Sequence, residues 1–245
     1  MTHNRRRYRY SSTDLNNLIK NDLKLRDNCN TQIFSFNPES FIIKCKTESQ
    51  RKAKQLFGHS NILTLIGPAG CGKTWLSTAL AINELYHGRV KKLIFTRPLV
   101  DAGEKLGFLP GEIANKTDPY MRPIFDQFDE LIGNNHDFRE HFNKYIEVVP
   151  LAFTRGRTFK NSICVLDEAQ NANYKQLKMF LTRFDENSKI VLNGDLSQID
   201  IYDSGLECAI SDLNGMDGFN VVYFDINDNV RHPIVSEIHN RMNKQ

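Results

Sequence analysis

From about residue 48 onward, the chain alternates short apolar runs with longer segments of mixed hydrophobic and polar residues. The apolar runs contain few polar positions, which is the pattern of strands buried on both faces of a sheet. Strands that alternate with helices predict βαβ units and an α/β fold with a mostly parallel sheet flanked by helices on both faces. Ligands then bind at the carboxyl ends of the strands. The predicted strands are 61–67, 91–97, 145–150, 162–167, 189–195 and 220–225, and the predicted helices are 73–86, 120–132, 174–184 and 233–243.

Composition narrows the class of protein. The chain has 245 residues, of which 40% are hydrophobic and 25% charged, so a single α/β domain can bury a full core without a disulfide or metal staple. The five cysteines are an odd number and form no CxxC pair, which argues against a disulfide framework and a zinc site and favours a reducing, cytoplasmic location. No apolar stretch approaches the ~18 residues of a membrane-spanning helix. The basic N-terminus is not followed by an apolar segment, so it is not a secretory signal.

The first 47 residues differ in texture from the rest, because they are polar and rich in Asn. We therefore predict an N-terminal appendage, residues 1–47, and an α/β domain, residues 48–245. The appendage begins with a basic arm formed by Arg5, Arg6, Arg7 and Arg9. This basic arm is either a frayed terminal tail or a phosphate-binding element with tyrosines available for base stacking. The net charge of +3 is too small to decide between the two.

Residues 67–74 read GPAGCGKT and fit the GxxxxGK[ST] phosphate-binding loop. The loop follows a predicted strand and opens a predicted helix, so backbone N–H groups and the helix N-terminus converge on phosphate oxygens. Lys73 is expected to contact the β- and γ-phosphates, and the Thr74 hydroxyl is a magnesium ligand. The predicted nucleotide-binding residues are Gly67, Pro68, Ala69, Gly70, Cys71, Gly72, Lys73, Thr74 and Trp75.

A second motif, ICVLDE at residues 163–168, is an apolar strand that delivers two acids at its carboxyl end. Asp167 is expected to hold magnesium, and Glu168 to polarise the water that attacks the γ-phosphate. The alternative is that these acids simply cap the next helix.

Two further polar groups are candidates for nucleotide contacts. Gln198, in NGDLSQID after the strand at 189–195, can place its amide beside the γ-phosphate; the alternative is turn chemistry with Asp195 as a cap. Gln50 lies upstream of the phosphate loop, and its amide can bond the N6/N7 edge of adenine; the alternative is a solvated helix residue.

Three motifs, namely the phosphate loop, ICVLDE and NGDLSQID, occur in the same order as in the first RecA-like domain of superfamily 1 helicases, which this chain therefore resembles. The chain is more similar still to the PhoH-like family. The resemblance covers residues 48 to about 240. It is carried, besides the phosphate loop, by residues 96–98, 102–104, 107–111, 118–120, 122–123, 150–152, 155–158, 167–171, 181–183, 194–195, 198, 200 and 230–232.

The resemblance implies a RecA-like core that binds ATP and Mg²⁺ and hydrolyses ATP, coupled as a helicase-like motor to single-stranded RNA or DNA, with RNA favoured. It also implies that Arg231 reaches the γ-phosphate, and that the region of Arg97 and Lys105 contacts the strand. For these two residues the alternative is a surface loop or a subunit contact. Two other functions stay open: an ATPase with a protein or ribosome-associated client, and a nucleotide-dependent binding switch without turnover. The intact pair Asp167 and Glu168 argues against the switch.

In the helicases a second RecA-like domain covers the nucleotide, whereas the resemblance of this sequence is to the first domain. We therefore expect a neighbouring copy of the chain to complete the site in a ring, with a hexamer favoured. Such a copy would supply an arginine to the γ-phosphate. The candidate trans arginines are Arg155, Arg157 and Arg183, and the alternative is that all three make local ion pairs.

Overall fold

The computed structural model describes residues 43–99, 113–132 and 144–231, together with the single positions 234, 235, 237 and 241. Within these residues, no helix combines the length and the apolar character needed to cross a membrane. The basic arm, Lys105 and most of the helix predicted at 233–243 lie outside the described residues, so these predictions stay open. The domain boundary predicted at residue 48 also stays a prediction.

One parallel sheet organises the described chain. Its strands are β1 (Ile62–Ile66), β2 (Lys92–Arg97), β3 (Ile146–Pro150), β4 (Ser162–Leu166), β5 (Lys189–Gly194) and β6 (Phe219–Tyr223). The helices are α1 (Glu48–His59), α2 (Lys73–Tyr86), α3 (Ile113–Ile132), α4 (Tyr174–Leu181) and α5 (Leu206–Leu213). The six strands lie in the order β3-β2-β4-β5-β1-β6, and every neighbouring pair is parallel.

Helices cover both faces of this sheet. Successive side chains of a strand point to opposite faces, so each buried strand packs against both helical layers. On one face, Ile94 and Leu192 belong to the apolar cluster that includes Leu177 of α4 and Leu206 of α5. On the other face, the neighbouring residue Phe95 packs edge-to-face on Phe128 of α3, with ring centroids 4.7 Å apart. The predicted α/β fold, with a parallel sheet between two helical layers, is confirmed.

The sequence pattern missed two helices and shortened a third. Helix α1 begins after Thr47, whose hydroxyl accepts a hydrogen bond from the Gln50 N–H at 3.3 Å, and it buries only Gln50, Ala53 and Phe57. That narrow buried face, which includes a polar residue, gives little apolar periodicity. Helix α5, which was also missed, has eight residues and buries Leu206 and Ala209. Helix α3 begins at Ile113 rather than at residue 120.

The strand order places the sequence motifs at one edge of the sheet. Strand β5 lies between β1, which leads into the phosphate loop, and β4, which leads to Asp167. The two motifs are therefore separated by two strand spacings, or roughly 10 Å. The end of β5, with Asn193, fills the gap between them.

Candidate active site

A cleft of about 720 Å³ lies at the carboxyl ends of these strands. It is lined by residues from each predicted motif, so the fold brings together segments that are far apart in the sequence. The predicted site residues that line it are Gln50, Ala69, Gly70, Gly72, Lys73, Thr74, Trp75, Arg97, Asp167, Glu168, Gln198 and Arg231.

The loop between β1 and α2 curls around the N-terminus of α2. Gly70 and Gly72 have φ angles of 89° and 76°, in the left-handed region that favours glycine. A Cβ at Gly70 would lie 2.9 Å from Cδ of Arg231, a side chain that can shift, so it is the positive φ that favours glycine there. Because α2 begins at Lys73, the first N–H groups of the helix are left without helical acceptors at this point. This is the geometry of an anion-binding loop.

Lys73 is turned back onto the loop. Its ammonium donates to the carbonyl oxygens of Gly67 at 2.5 Å and Pro68 at 2.9 Å. Burial lowers the pKa of Lys73, although the negative charge of Asp195 opposes that effect. The ammonium therefore rests on neutral carbonyl acceptors, and a phosphate oxygen in the cleft would outcompete them.

A hydroxyl and a carboxylate meet at the centre of the cleft. Thr74 Oγ1 donates to Asp167 Oδ1 at 2.9 Å, and Asn193 Nδ2 donates to the same oxygen at 3.2 Å. Burial raises the pKa of Asp167, and the negative charge of Glu168 raises it further. A cation bound nearby would therefore stabilise the ionised carboxylate.

The oxygen atoms at this point suit magnesium. Asn193 Oδ1 is buried and has no hydrogen-bond partner within the described chain. Among the described residues no cluster of three or more His, Cys, Asp or Glu side chains forms a protein-only metal site. A hydroxyl and one carboxylate, supplemented by phosphate oxygens and water, are the ligands that Mg²⁺ commonly takes. Thr74 and Asp167 thus fit a Mg²⁺ ion that arrives with a nucleotide.

Glu168 is held in an unusual backbone conformation. Its φ of 54° and ψ of 42° are left-handed, which costs a non-glycine residue about 1–3 kcal/mol and is concentrated at functional sites. Its carboxylate accepts a hydrogen bond from Arg97 Nη2 at 2.9 Å and another from Gln170 Nε2 at 2.6 Å.

Gln170 is a site residue that sequence reasoning missed. It is buried, and its amide group bonds Glu168, the Asp195 N–H at 3.0 Å and the Gln198 carbonyl at 3.1 Å. It therefore ties the carboxylate of Glu168 to the loop that carries Gln198. The available signal was its position two residues after Glu168, within the segment 167–171 that carries the family resemblance.

Gln50 is also buried, with 1% of its surface exposed. Its amide donates to the carbonyl oxygen of Cys71 at 3.0 Å and accepts from the Lys46 N–H at 2.8 Å. Gln50 therefore stabilises the phosphate loop through its hydrogen bond to the Cys71 carbonyl. A contact to adenine would require the amide to exchange one of these partners, and it stays a prediction.

The other loop residues divide into two groups. Ala69 and Trp75 line the cleft, whereas Cys71 is buried behind it with its thiol 3.5 Å from the carbonyl oxygen of Asp225. Burial raises the pKa of Cys71 to about 11, so the thiol stays protonated at neutral pH. Cys71 thus contributes to packing, and its main chain contributes to the loop.

The arginines predicted to contact the γ-phosphate or the nucleic-acid strand occupy different places. Arg231 lines the cleft and lies against Gly70, and Arg97 enters the cleft from the end of β2. Arg157 instead forms a two-point ion pair with Glu147 of β3, at 2.5 and 2.8 Å. Arg183 donates from Nε to the carbonyl oxygen of Met179.

Arg155 is exposed and follows the 3-10 helix Leu151–Thr154 at the end of β3. Among the described residues, its side chain has no hydrogen-bond or ion-pair partner, which separates it from the two other candidate trans arginines.

Comparison with known proteins identifies relatives along most of the chain. A family model described as "PhoH-like protein" matches residues 42–243. The PhoH-like protein of Bacillus subtilis (strain 168) is 42% identical over 229 residues, which cover 92% of this chain and 72% of the relative. The PhoH-like protein of Mycobacterium tuberculosis (strain ATCC 25618 / H37Rv) is 43% identical over 199 residues, or 80% of this chain and 56% of the relative. Protein PhoH of Escherichia coli (strain K12) is 40% identical over 195 residues, or 77% of this chain and 55% of the relative.

Similarity to solved structures is more distant. The Sulfolobus solfataricus SWI2/SNF2 ATPase core in complex with dsDNA matches 66% of this chain and 34% of its own, at 14% identity and a TM-score of 0.41. Domain III of the Thermotoga maritima replication initiation protein DnaA matches 77% of this chain and 69% of its own, at 13% identity and a TM-score of 0.35.

Proposed function

Because the chain belongs to the PhoH-like family, we propose that it is a Mg²⁺-dependent ATPase that couples hydrolysis to single-stranded nucleic acid, RNA in preference to DNA, as a helicase-like motor. One observation carries the proposal. Lys73, the hydrogen-bonded pair Thr74 and Asp167, and the adjacent Glu168 all face one cleft at the carboxyl ends of the strands. Phosphoryl transfer requires this convergence, since its catalysis is positioning and charge neutralisation.

The chain's own groups have distinct roles in the proposed reaction. Backbone N–H groups of the loop and of the first turn of α2 hold the phosphates, and the Lys73 ammonium moves from the carbonyls of Gly67 and Pro68 to the β- and γ-phosphates. Thr74 and Asp167 would hold Mg²⁺. When bound, the ion supplies positive charge that offsets the phosphate oxygens.

Glu168 orients and polarises the attacking water. In this structure its carboxylate accepts hydrogen bonds from Arg97 and Gln170. Gln198 and Arg231 line the same cleft and serve as groups that respond to the γ-phosphate. Gln170 connects this response to Glu168, because it bonds both the carboxylate and the Gln198 carbonyl.

A strand of nucleic acid is the proposed client because the cleft carries cationic groups beyond those that the nucleotide needs. Lys44, Lys46 and Arg97 line it in addition to Lys73 and Arg231. Four acids also line the cleft, so Lys44 and Lys46, rather than a large net positive charge, are the groups that would bind strand phosphates. The free thiols at the described cysteines agree with the cytoplasmic location that we propose.

We also propose that neighbouring copies form a ring, as a hexamer, in which an arginine of one copy reaches the nucleotide of the next. Arg155 is the preferred trans arginine, because Arg157 is already paired with Glu147. Light scattering coupled to size exclusion, with and without an ATP analogue, tests the ring. A monomer whose turnover is independent of protein concentration would contradict it. If Arg155 is the trans arginine, Arg155→Ala loses turnover but keeps nucleotide affinity. Mixing Arg155→Ala with Lys73→Ala then restores some activity at the boundaries between the two variants.

The decisive experiment for the function is ATP turnover by the purified chain at stated salt, alone and with defined single-stranded RNA or DNA. We expect hydrolysis that requires Mg²⁺ and Lys73 and rises with RNA more than with DNA. Turnover that responds to neither strand would contradict the nucleic-acid client and favour a protein client. Binding of ATP without any turnover would contradict the enzyme.

A further inference from the structure

The two partners of the Glu168 carboxylate differ in how firmly they are held. Gln170, on Oε2, is buried and is fixed by the Asp195 N–H and the Gln198 carbonyl. Arg97, on Oε1, is the last residue of β2, and 23% of its side chain is exposed within the cleft. Gln170 can release Glu168 only by breaking the buried network around it, whereas the partly exposed guanidinium of Arg97 is within reach of an anion that enters the cleft.

We propose that Arg97 is a positioning residue that restrains Glu168 until a backbone phosphate of a bound single strand takes the guanidinium. The proposal rests on the proposed function and adds its regulation. A guanidinium binds a phosphate with the same forked geometry as a carboxylate, so a strand phosphate is a direct competitor for Arg97. Once released, Glu168 keeps its hydrogen bond to Gln170 and turns its other oxygen to the attacking water.

The strand order favours a strand phosphate over the γ-phosphate of ATP as this competitor. Strand β2 pairs with β4, and the Asp167 N–H donates to the Thr96 carbonyl at 2.9 Å. The phosphate loop follows β1, which is three strand positions from β2, or roughly 14 Å at the usual spacing. Arg97 therefore approaches Glu168 from β2, on the side of β4 opposite to β5, β1 and the phosphate loop.

The size of the effect follows from the exposure of the pair. Both side chains reach solvent, at 23% for Arg97 and 34% for Glu168, so the ion pair is a weak restraint. Its loss is expected to raise turnover about two- to fivefold, the factor that corresponds to the ~0.4–1 kcal/mol of such a pair.

The experiment compares Arg97→Ala with the wild-type chain in the absence and presence of oligouridylate RNA. Trp75 is the one tryptophan of the sequence and lines the cleft, so its fluorescence reports nucleotide affinity separately from turnover. We expect Arg97→Ala to raise kcat without RNA, to lose the further response to RNA, and to leave nucleotide affinity unchanged. Arg97→Lys should lie between the two, because it keeps the charge but not the fork. The matched control is Arg89→Ala, which breaks an arginine–glutamate pair with Glu84 outside the cleft.

Three outcomes would overturn the proposal. If Arg97→Ala has a kcat below wild type, Arg97 acts on the transferring phosphate instead. If Arg97→Ala responds to RNA as strongly as wild type, Arg97 has no part in regulation. If the wild-type chain does not respond to RNA, the strand is not the ligand that releases Glu168. If neither chain hydrolyses ATP, the proposed function fails, and the pair is tested without nucleotide. A double-mutant cycle of Arg97→Ala and Glu168→Gln on the urea midpoint then supports the restraint if the shifts are coupled and overturns it if they add.

Discussion

Replacing Glu168 by Gln separates its proposed chemical role from its structural one. The amide has nearly the shape of the carboxylate and keeps one oxygen acceptor, so it can still accept the hydrogen bond from Gln170. What it loses is the negative charge that polarises water and pairs with Arg97. We therefore expect Glu168→Gln to bind ATP and to lose nearly all turnover.

The two losses differ greatly in size. Because Arg97 and Glu168 both reach solvent, breaking their ion pair costs the fold ~1 kcal/mol or less. Removing a positioned general base lowers a rate by about 10²–10⁴-fold. This factor corresponds to roughly 2.7–5.4 kcal/mol in the barrier. An effect of that size on kcat, with an unfolding midpoint close to wild type, can come only from the chemical role.

The assay is steady-state phosphate release, with nucleotide affinity measured from Trp75 fluorescence. Glu84→Gln is the matched control, since it makes the same substitution in a glutamate that pairs with Arg89 away from the cleft. It should leave both turnover and affinity unchanged. Hydrolysis by Glu168→Gln at the wild-type rate would refute the assignment of Glu168 as the group that activates water.

Two other predictions concern the same site, and a third concerns the basic arm. Lys73→Ala should weaken both nucleotide affinity, read from Trp75 fluorescence, and turnover; wild-type affinity would exclude Lys73 from phosphate binding. Asp167→Asn should raise the melting temperature of the nucleotide-free chain in EDTA at neutral pH and abolish Mg²⁺-dependent ATP binding. Burial raises the pKa of Asp167, so the charged carboxylate destabilises the fold above that pKa. The gain in melting temperature should vanish as pH falls below the ordinary value of 3.8, where the carboxyl is protonated in both folded and unfolded chains. A gain that persists in acid would contradict this cause. Replacing the four arginines of the basic arm by alanine should flatten the salt dependence of RNA binding and leave basal turnover unchanged; an unaltered salt slope would make the arm a solvated tail.

The sequence predicted best those elements in which local pattern and local chemistry agree. Helix α2 has the predicted bounds of 73–86, because the phosphate loop marks its start and an apolar helical pattern runs to Tyr86. Helix α1 was missed because its buried face consists of Gln50, Ala53 and Phe57. A glutamine counts as solvent-facing in any hydrophobic pattern. Here it is buried because the carbonyl of Cys71, 21 residues away, accepts its amide hydrogen.

The contact between Arg97 and Glu168 lay beyond sequence reasoning for a different reason, which is that it depends on the order of the strands. The alternating pattern predicts that both residues stand at carboxyl ends of parallel strands, but it does not say which strands are neighbours. Had β2 paired with β1, Arg97 would stand beside the phosphate loop and would add to the charge of Lys73. Because β2 pairs with β4, the guanidinium instead meets the carboxylate that we assign to water activation. The same arginine at the same strand end thus serves as a phosphate ligand in one topology and as a restraint on the proposed base in the other.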